Sequence, residues 1–278
     1  MQGPGRRHDG RATPELPAGE AKTAMVRSMF DAIAPRYGLL NGLITFGLDR
    51  RWRRAAADAL GLGSGARVLD LACGTGDLSR LLVKRQMRPV GVDISAGMLQ
   101  VAAEPHRTAE PHRTAEPHRT AEPHPSAQAG DQRHSDTHGD RRPSPHLVQG
   151  DASALPFPPA SFDGVISGFA LRNFSDLAGV FAEVARVLRP QGRISLLEVD
   201  EVRAPVLRTV HGLWFDHAVP AIGGLLSDPV AYRYLPRSVA YLPPAPAMEA
   251  MAQAAGFAGL QRQRLTFGTV QILTATRR

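Results

Sequence analysis

The stretch Val68 to Ser79, VLDLACGTGDLS, constrains this chain more than any other part of it. Val68 to Leu71 is a short apolar run of strand character that carries the acid Asp70. A turn with two glycines follows, Gly74 and Gly76, and Leu78, Leu81 and Leu82 then open helical spacing. A second apolar strand, from Val90, ends in another acid, Asp93. In a parallel α/β sheet, glycines at such a turn let the backbone approach a ligand beside a helix N-terminus, with a carboxylate at the tip of the next strand. A carboxylate there is placed to accept from two ribose hydroxyls. The pattern reads as a site for a nucleoside-containing cofactor.

The glycines narrow the choice. A dinucleotide fingerprint is G-x-G-x-x-G, whose third glycine lets helix and strand pack closely. Here Ser79 stands in that third place, and Asp70 before the turn would repel a pyrophosphate. S-adenosylmethionine has no phosphate, and its sulfonium and ammonium charges tolerate a neighbouring acid. Asp70-x-Ala72-x-Gly74-x-Gly76 resembles the D-x-G-x-G-x-G loop of class I methyltransferases, with Ala72 at the first glycine. An NAD-dependent oxidoreductase shares the fold and is the rival reading; Ser79 and Asp70 argue against it.

At 278 residues the chain is long enough for one large α/β core with appendages. Its single cysteine, Cys73, excludes an internal disulfide and fits a reducing cytoplasm. Cys73 lies inside the glycine loop, where a small side chain beside a cofactor is the reading preferred over a nucleophile. Residues 1–21 are rich in Gly, Pro and charge and read as a disordered leader, neither signal peptide nor membrane span. The net charge of +7 comes without a long basic block or aromatic interleaving, so no nucleic-acid partner is expected. Peripheral contact with an anionic membrane surface is compatible with it.

From Lys22 to Leu60 the apolar spacing is helical: Met25, Met29 and Ile33, then Leu39, Leu40, Leu43 and Ile44, then Trp52, Ala56 and Leu60. This is a helical extension ahead of the sheet. Residues from about 104 to 146 break the pattern. EPHRTA occurs three times in tandem, proline recurs every six residues, and almost nothing is apolar. Seven of the ten histidines lie there, but with no framework to hold them the segment reads as a solvated insert, not a metal site. The helix after Asp93 returns the chain to the sheet edge opposite the ligand edge, so the insert is expected to leave the fold away from the site. Removing Glu104 to Pro143 should therefore leave folding and turnover nearly intact, because shortening a flexible loop changes its closure entropy only by about 0.6 kcal/mol per halving. Chelator sensitivity that disappears with the deletion would instead reveal a functional metal.

After the insert, Leu147-Val148 is a strand, residues 155–163 form a loop with apolar pins, and Gly164 to Leu171 is a buried strand ending at Arg172-Asn173. A helix is expected from Asp176 to Leu188, a strand from Arg193 to Glu198, and a helical, Pro-rich excursion from Ala204 to about Pro246. A helix at Ala247–Ala255 then leads to strands Leu260–Phe267 and Thr269–Thr276, an antiparallel hairpin joined at Gly268. Alternating strands and helices give a doubly wound, Rossmann-like α/β sheet with that hairpin at its end. Residues 22–278 form one domain, interrupted by the insert.

The motifs also carry a narrower resemblance. MFDAIAPRYGLLNGLITFGLDRRWRR (Met29 to Arg54), GDASALPFPPASFD, FALRNFSD, RVLRPQGRISLLEVD and AYRYLPRSV are similar, in order, to the ubiquinone/menaquinone biosynthesis C-methyltransferases. The resemblance covers the chain from Lys22 onward except the insert. It implies transfer of a methyl group from S-adenosylmethionine to a ring carbon of a polyprenylated quinol, demethylmenaquinol or a ubiquinone precursor. It further implies that Gly74, Thr75 and Gly76 cradle the methionine part of the cofactor near Asp70, that Asp93 holds the ribose, that Asp151 and Ala152 meet the adenine, and that Gly168 lines the transfer pocket. Gly38, Asp49, Gln191 and Asp200 depart from the family's usual residues.

Methylating a ring carbon requires an electron-rich ring, so the quinol must lose a phenolic proton. Arg172 and Asn173, with Tyr37, are the candidates for orienting a water or the phenolate. Arg172 stays protonated and suits charge stabilisation rather than base catalysis. Ile33–Ile44 and Trp214–Leu226 are candidates to line an apolar entrance for the tail. A methyltransferase for another small or lipid acceptor, and a non-catalytic quinone or lipid carrier, stay open as alternatives. The expected location is cytoplasmic, with peripheral contact at the inner membrane face left open, as is the oligomeric state.

Overall fold

The structure is a computed structural model, described here for residues 17–104, 145–200 and 238–278. The repeat insert, the leader up to residue 16, and most of the Ala204–Pro246 excursion with Trp214–Leu226 lie outside the described residues. Two helices come first, α1 (Gly19–Ile44) and α2 (Asp49–Leu60). The alternating part follows: β1 (Arg67–Leu71), α3 (Asp77–Lys84), β2 (Arg88–Asp93), α4 (Ala96–Ala103), β3 (His146–Gln149), β4 (Phe162–Gly168), α5 (Leu177–Val187) and β5 (Leu188–Val199). A final helix, α6 (Ala245–Ala254), leads to β6 (Phe257–Leu265) and β7 (Val270–Arg277).

The strands make one sheet in the order β3-β2-β1-β4-β5-β7-β6. β1 to β5 are parallel, while β7 runs antiparallel to both β5 and β6. The strand order reverses at β1, which pairs β2 on one side and β4 on the other. A crevice at the C-terminal ends of these strands is where an open α/β sheet binds its ligand. The doubly wound sheet with a terminal antiparallel hairpin is therefore the observed architecture.

Apolar layers cover both faces of the sheet. On one side Phe162, Phe181, Val184 and Phe257 join α5 and α6 to the strands. On the other, Ala56, Leu60, Leu78 and Leu82 bring in α2 and α3. α1 packs through Val26, Met29, Ile33 and Leu40 onto Met98 of α4 in a cluster of its own. That placement sets α1 over the ligand edge of the sheet.

Several boundaries differ from the sequence reading, each for a local reason. α1 begins at Gly19, inside the span read as leader. β4 ends at Gly168, three residues short of Leu171, because Phe169 adopts φ +63° and residues 171–173 wind into a 3-10 turn. β5 starts at Leu188 rather than Arg193; its pairing with β4 jumps from Phe162↔Leu188 to Gly164↔Arg193, so Arg189–Gly192 is absorbed as an irregularity with Gln191 at φ +65°. The insert joins the described fold at the end of α4, where Ala102 packs beside Gly76, and at His146, which pairs with Val90 in the middle of β2.

Candidate active site

The loop after β1 turns by three left-handed residues, Ala72 (φ +54°), Gly74 (φ +54°) and Gly76 (φ +80°). Its amide hydrogen bonds hold it: Cys73 N–H donates to Val92 O at 2.9 Å, and Gly76 N–H donates to Cys73 O at 2.9 Å. A Cβ added at Gly74 would meet nothing within 4 Å, so that glycine leaves open space toward the cleft, whereas one at Gly76 would reach 3.2 Å from Ala102 Cβ. Gly76 thus serves the packing of α3 on α4. Cys73 Sγ packs where a Cβ on Gly91 would come to 2.9 Å. Burial first, then Asp70 and Asp93, push its thiol well above the usual range, which is the opposite of an activated nucleophile.

Asp93 at the tip of β2 ties the site together. Its Oδ2 accepts from Gly74 N–H at 2.7 Å and its Oδ1 from Ser95 N–H at 2.9 Å. Burial pushes its carboxyl up, and these amides offset that only in part. Ser95 caps α4 by accepting from Met98 N–H, and it donates to Asp31 of α1 at 2.6 Å. Asp31 also accepts from Gly97 N–H at 2.9 Å, so α1 supplies a second cap to the same helix.

Beyond β3, Asp151 Oδ1 accepts from both the N–H and the hydroxyl of Ser153, an Asx turn that shapes the loop. Both bonds fall on Oδ1, which leaves Oδ2 as the atom that can turn to a ligand amine. A latch on α5 holds this loop: Glu183 accepts from Leu155 N–H at 2.9 Å, and Arg186 donates to the carbonyls of Phe157 and Leu155 at 2.8 and 3.0 Å. Glu183 and Arg186 are also ion-paired with each other.

The last wall comes from β4 and α1. Lys22 of α1 donates to Phe174 O at 2.7 Å, and Thr23 shares a hydrogen bond with Ser175 at 3.0 Å. Tyr37 meets Phe30 edge-on with centroids 6.0 Å apart. Burial pushes the Tyr37 phenol up, against the downward pull of Arg53 and Arg172. At neutral pH it is a neutral hydrogen-bond donor.

Together these parts enclose a cleft with about 830 Å³ of empty space, measured out to its mouth. Of the residues singled out in the sequence, Tyr37, Gly74, Asp93, Asp151, Ala152, Gly168 and Asn173 line it. Four do not. Thr75 is buried beside the loop, and Gly76 supports α3. Asp70 is fully buried, with Oδ2 accepting from Ser79 Oγ at 2.6 Å, so it sits behind the loop and not on the wall. Arg172 is buried in an ion pair with Glu198, with Nε donating to Ser238 Oγ at 3.1 Å. Its charge is already matched by Glu198, so in this arrangement the guanidinium expected to stabilise the phenolate is turned to Glu198 and does not line the cleft.

Sequence reasoning missed the cleft wall of Thr23, Val26 and Phe30, and the braces Asp31 and Glu198. The signal for the wall was present: 23, 26, 30 and 37 form one stripe on α1. Ser79 in the third-glycine place also has its explanation, as the hydrogen-bond donor to Asp70.

Asp70 Oδ1 is buried without a hydrogen-bond partner among the described residues, and burial raises this carboxyl from 3.8 to about 7. A carboxyl raised by folding favours the native state while protonated. Its contribution is full below pH 4 and is lost as pH rises toward about 7. Asp70→Asn should accordingly raise the melting temperature at pH 8 and change little at pH 4. Equal shifts at both pH values in thermal melts would show that Asp70 is not the titrating group.

The sequence profile of the ubiE/COQ5 methyltransferase family matches residues 18–113 and 129–277. The chain is 38% identical over 247 residues to a demethylmenaquinone methyltransferase of Thermus thermophilus, covering 88% of this chain and 97% of that protein. It is 35% identical to a ubiquinone/menaquinone biosynthesis C-methyltransferase of Geobacter sulfurreducens, covering 91% of this chain and 88% of that one. Among solved structures, the [4+2]-cyclase SpnF superposes with a TM-score of 0.58 at 17% identity, over 92% of this chain and 96% of its own. Haemonchus contortus phosphoethanolamine N-methyltransferase 2 superposes at 0.57 with 15% identity, over 91% of this chain and 60% of its own. A cyclase beside a methyltransferase shows that these superpositions establish the fold alone. The sequence matches go further, and with an α1-capped cleft at the switch point of the sheet they lead to one conclusion: this chain is a methyltransferase of the ubiE/COQ5 family.

Proposed function

We propose that the protein methylates a ring carbon of a polyprenylated quinol, demethylmenaquinol or the corresponding ubiquinone precursor, with S-adenosylmethionine as donor. The observation that carries the acceptor is the likeness over 88% of the chain to a relative named demethylmenaquinone methyltransferase. For the donor, support comes from the carboxylate of Asp93 on the cleft wall beside the open space at Gly74. Asp93 suits the ribose hydroxyls, Asp151 and Ala152 the adenine, and the loop from Ala72 to Gly76 the methionine part. Asp70, held behind the loop with its carboxyl raised to about 7, supplies negative potential in its ionised fraction, which suits a cationic donor and opposes a dinucleotide.

The chemistry that bound S-adenosylmethionine supplies is an electrophilic methyl group on a positively charged sulfur. The chain's own task is to hold the quinol ring against that group and keep its oxygen electron-rich. Tyr37 and Asn173 line the cleft and offer hydrogen-bond donors to a phenolate. Phe30, Phe169 and Phe174 give the wall apolar faces that suit a ring. Arg172 works one layer back, braced against Glu198, where its downward pull on the Tyr37 phenol is outweighed by burial, so Tyr37 stays a neutral donor. Alignment of carbon, methyl and sulfur in such a cleft supplies much of the remaining rate.

The test is direct. Purified protein with S-adenosylmethionine and a demethylated quinol should yield the methylated ring by mass spectrometry, and a strain lacking the gene should accumulate the demethylated quinone. A normal quinone profile in that strain overturns the reading. Binding of NADH in place of S-adenosylmethionine would revive the oxidoreductase alternative.

A further inference from the structure

Four large apolar side chains stand out as exposed among the described residues: Leu39 (64%), Leu43 (45%), Phe46 (73%) and Phe267 (83%). Their helical spacing makes Leu39 and Leu43 look like core residues, yet on α1 they fall opposite the stripe that lines the cleft. Leu39, Leu43 and Phe46 step by four and three residues, a single stripe running off the end of the helix. Phe267 is remote in sequence, in the turn between β6 and β7, but Trp52 of α2 donates to Thr266 Oγ1 at 2.7 Å and ties that turn to the start of α2. The two exposed phenylalanines therefore belong to neighbouring turns.

Those turns lie at the ligand edge of the sheet. Next along α2, Arg53 reaches Asp77 at 3.7 Å, at the start of α3 just after the glycine loop. Trp52 meets Phe169, a cleft residue, with ring centroids 6.0 Å apart. The patch is also strongly basic. Residues 36–54 carry five arginines and one acid, and that acid, Asp49, is buried against Arg53. Arg36, Arg50, Arg51 and Arg54 are exposed. Protruding apolar side chains rimmed by arginine complement the surface of an anionic bilayer, into which the apolar groups sink while the cations meet the headgroups.

We propose that the turns at 45–48 and 266–268, with Leu39 and Leu43, form a docking surface for anionic lipid bilayers, and that docking delivers the lipophilic acceptor to the cleft from the membrane. The delivery step rests on the reading of the acceptor as a polyprenylated quinol; the docking does not. A quinol with a long tail resides in the bilayer, and a cleft at the same edge of the sheet as the docked turns shortens its path out of the lipid.

The experiment uses the full chain with vesicles of phosphatidylcholine alone or mixed with phosphatidylglycerol, read by co-sedimentation. The protein should bind the mixed vesicles and lose them at high salt. Phe46→Ser with Phe267→Ser, and separately Arg50→Glu with Arg51→Glu, should each lower partitioning at least roughly tenfold. Melting temperatures should be unchanged, since all four side chains are exposed. Turnover of a short-tailed, water-soluble quinol should persist in both variants, while turnover of a long-tailed quinol presented in vesicles falls. Wild-type protein that ignores the mixed vesicles, or variants that bind them equally well, overturns the docking. A wild-type dimer that the phenylalanine substitutions dissociate, without vesicle binding, also overturns it and assigns the patch to a second copy. Lost vesicle binding with unimpaired long-tailed turnover overturns the delivery step. Intact docking without methylation of any quinol leaves the surface standing and removes the acceptor reading instead.

Discussion

Asp93→Ala should lower affinity for S-adenosylmethionine by about a hundredfold or more, since two hydroxyl bonds to a charged acceptor are together worth about 3 kcal/mol or more. The structure adds a second consequence. Asp93 already accepts from Gly74 and Ser95 amides, at 2.7 and 2.9 Å, so its loss strands one buried and one part-buried donor and loosens both the glycine loop and the start of α4. Each stranded donor costs about 1–3 kcal/mol, so the variant should also melt earlier. Calorimetric titration below the lowered melting temperature separates the two effects. Unchanged affinity in a folded variant refutes the ribose role. Asp93→Asn is a second probe: it keeps one oxygen for a backbone amide and turns an NH₂ toward the other, so it should weaken binding with a smaller loss of stability.

Much of the fold was legible because its strands are short apolar runs punctuated by glycine and acid. Val68–Leu71 and Val90–Asp93 fall within β1 and β2, and Gly268 sits in the hairpin turn. Two of the misjudged boundaries, the end of β4 and the start of β5, involve non-glycine residues with positive φ, Phe169 and Gln191. Within the site, residues one step from a motif were readable: Gly74, Asp93 and Asp151 all line the cleft. Contacts between distant segments were not. Lys22 with Phe174, Asp31 with Ser95, and Arg172 with Glu198 are separated by 152, 64 and 26 residues, and only the folded chain brings them together. The exposed stripe at Leu39 and Leu43 shows the converse limit, since helical apolar spacing reports a face without saying what covers it.

The strongest test of the acceptor side lies in one of those distant pairs. Arg172→Ala should destabilise the protein by about 3–5 kcal/mol, because it leaves Glu198 as an unpaired buried carboxylate. Glu198 is fully buried and also accepts from Val199 N–H at 2.9 Å, so it cannot swing out to water without disturbing the end of β5. The pair joins that end to the 3-10 turn that carries Asn173, and its loss should displace Asn173 from the cleft. Turnover should then fall much further than donor affinity, because the donor is held on the other side of the cleft by Asp93 and Asp151. Replacing both partners, Arg172→Met with Glu198→Gln, removes the stranded charge and should recover most of the stability. If Arg172 acts as a brace, turnover recovers along with it. Should stability return while turnover stays down by about a hundredfold, the loss expected on removing a donor that acts directly on developing charge, then Arg172 must leave Glu198 during the reaction and reach the phenolate itself. Turnover with a demethylated quinol at saturating S-adenosylmethionine, measured beside thermal melting for the single and double variants, decides between a guanidinium that holds the wall and one that takes part in the chemistry.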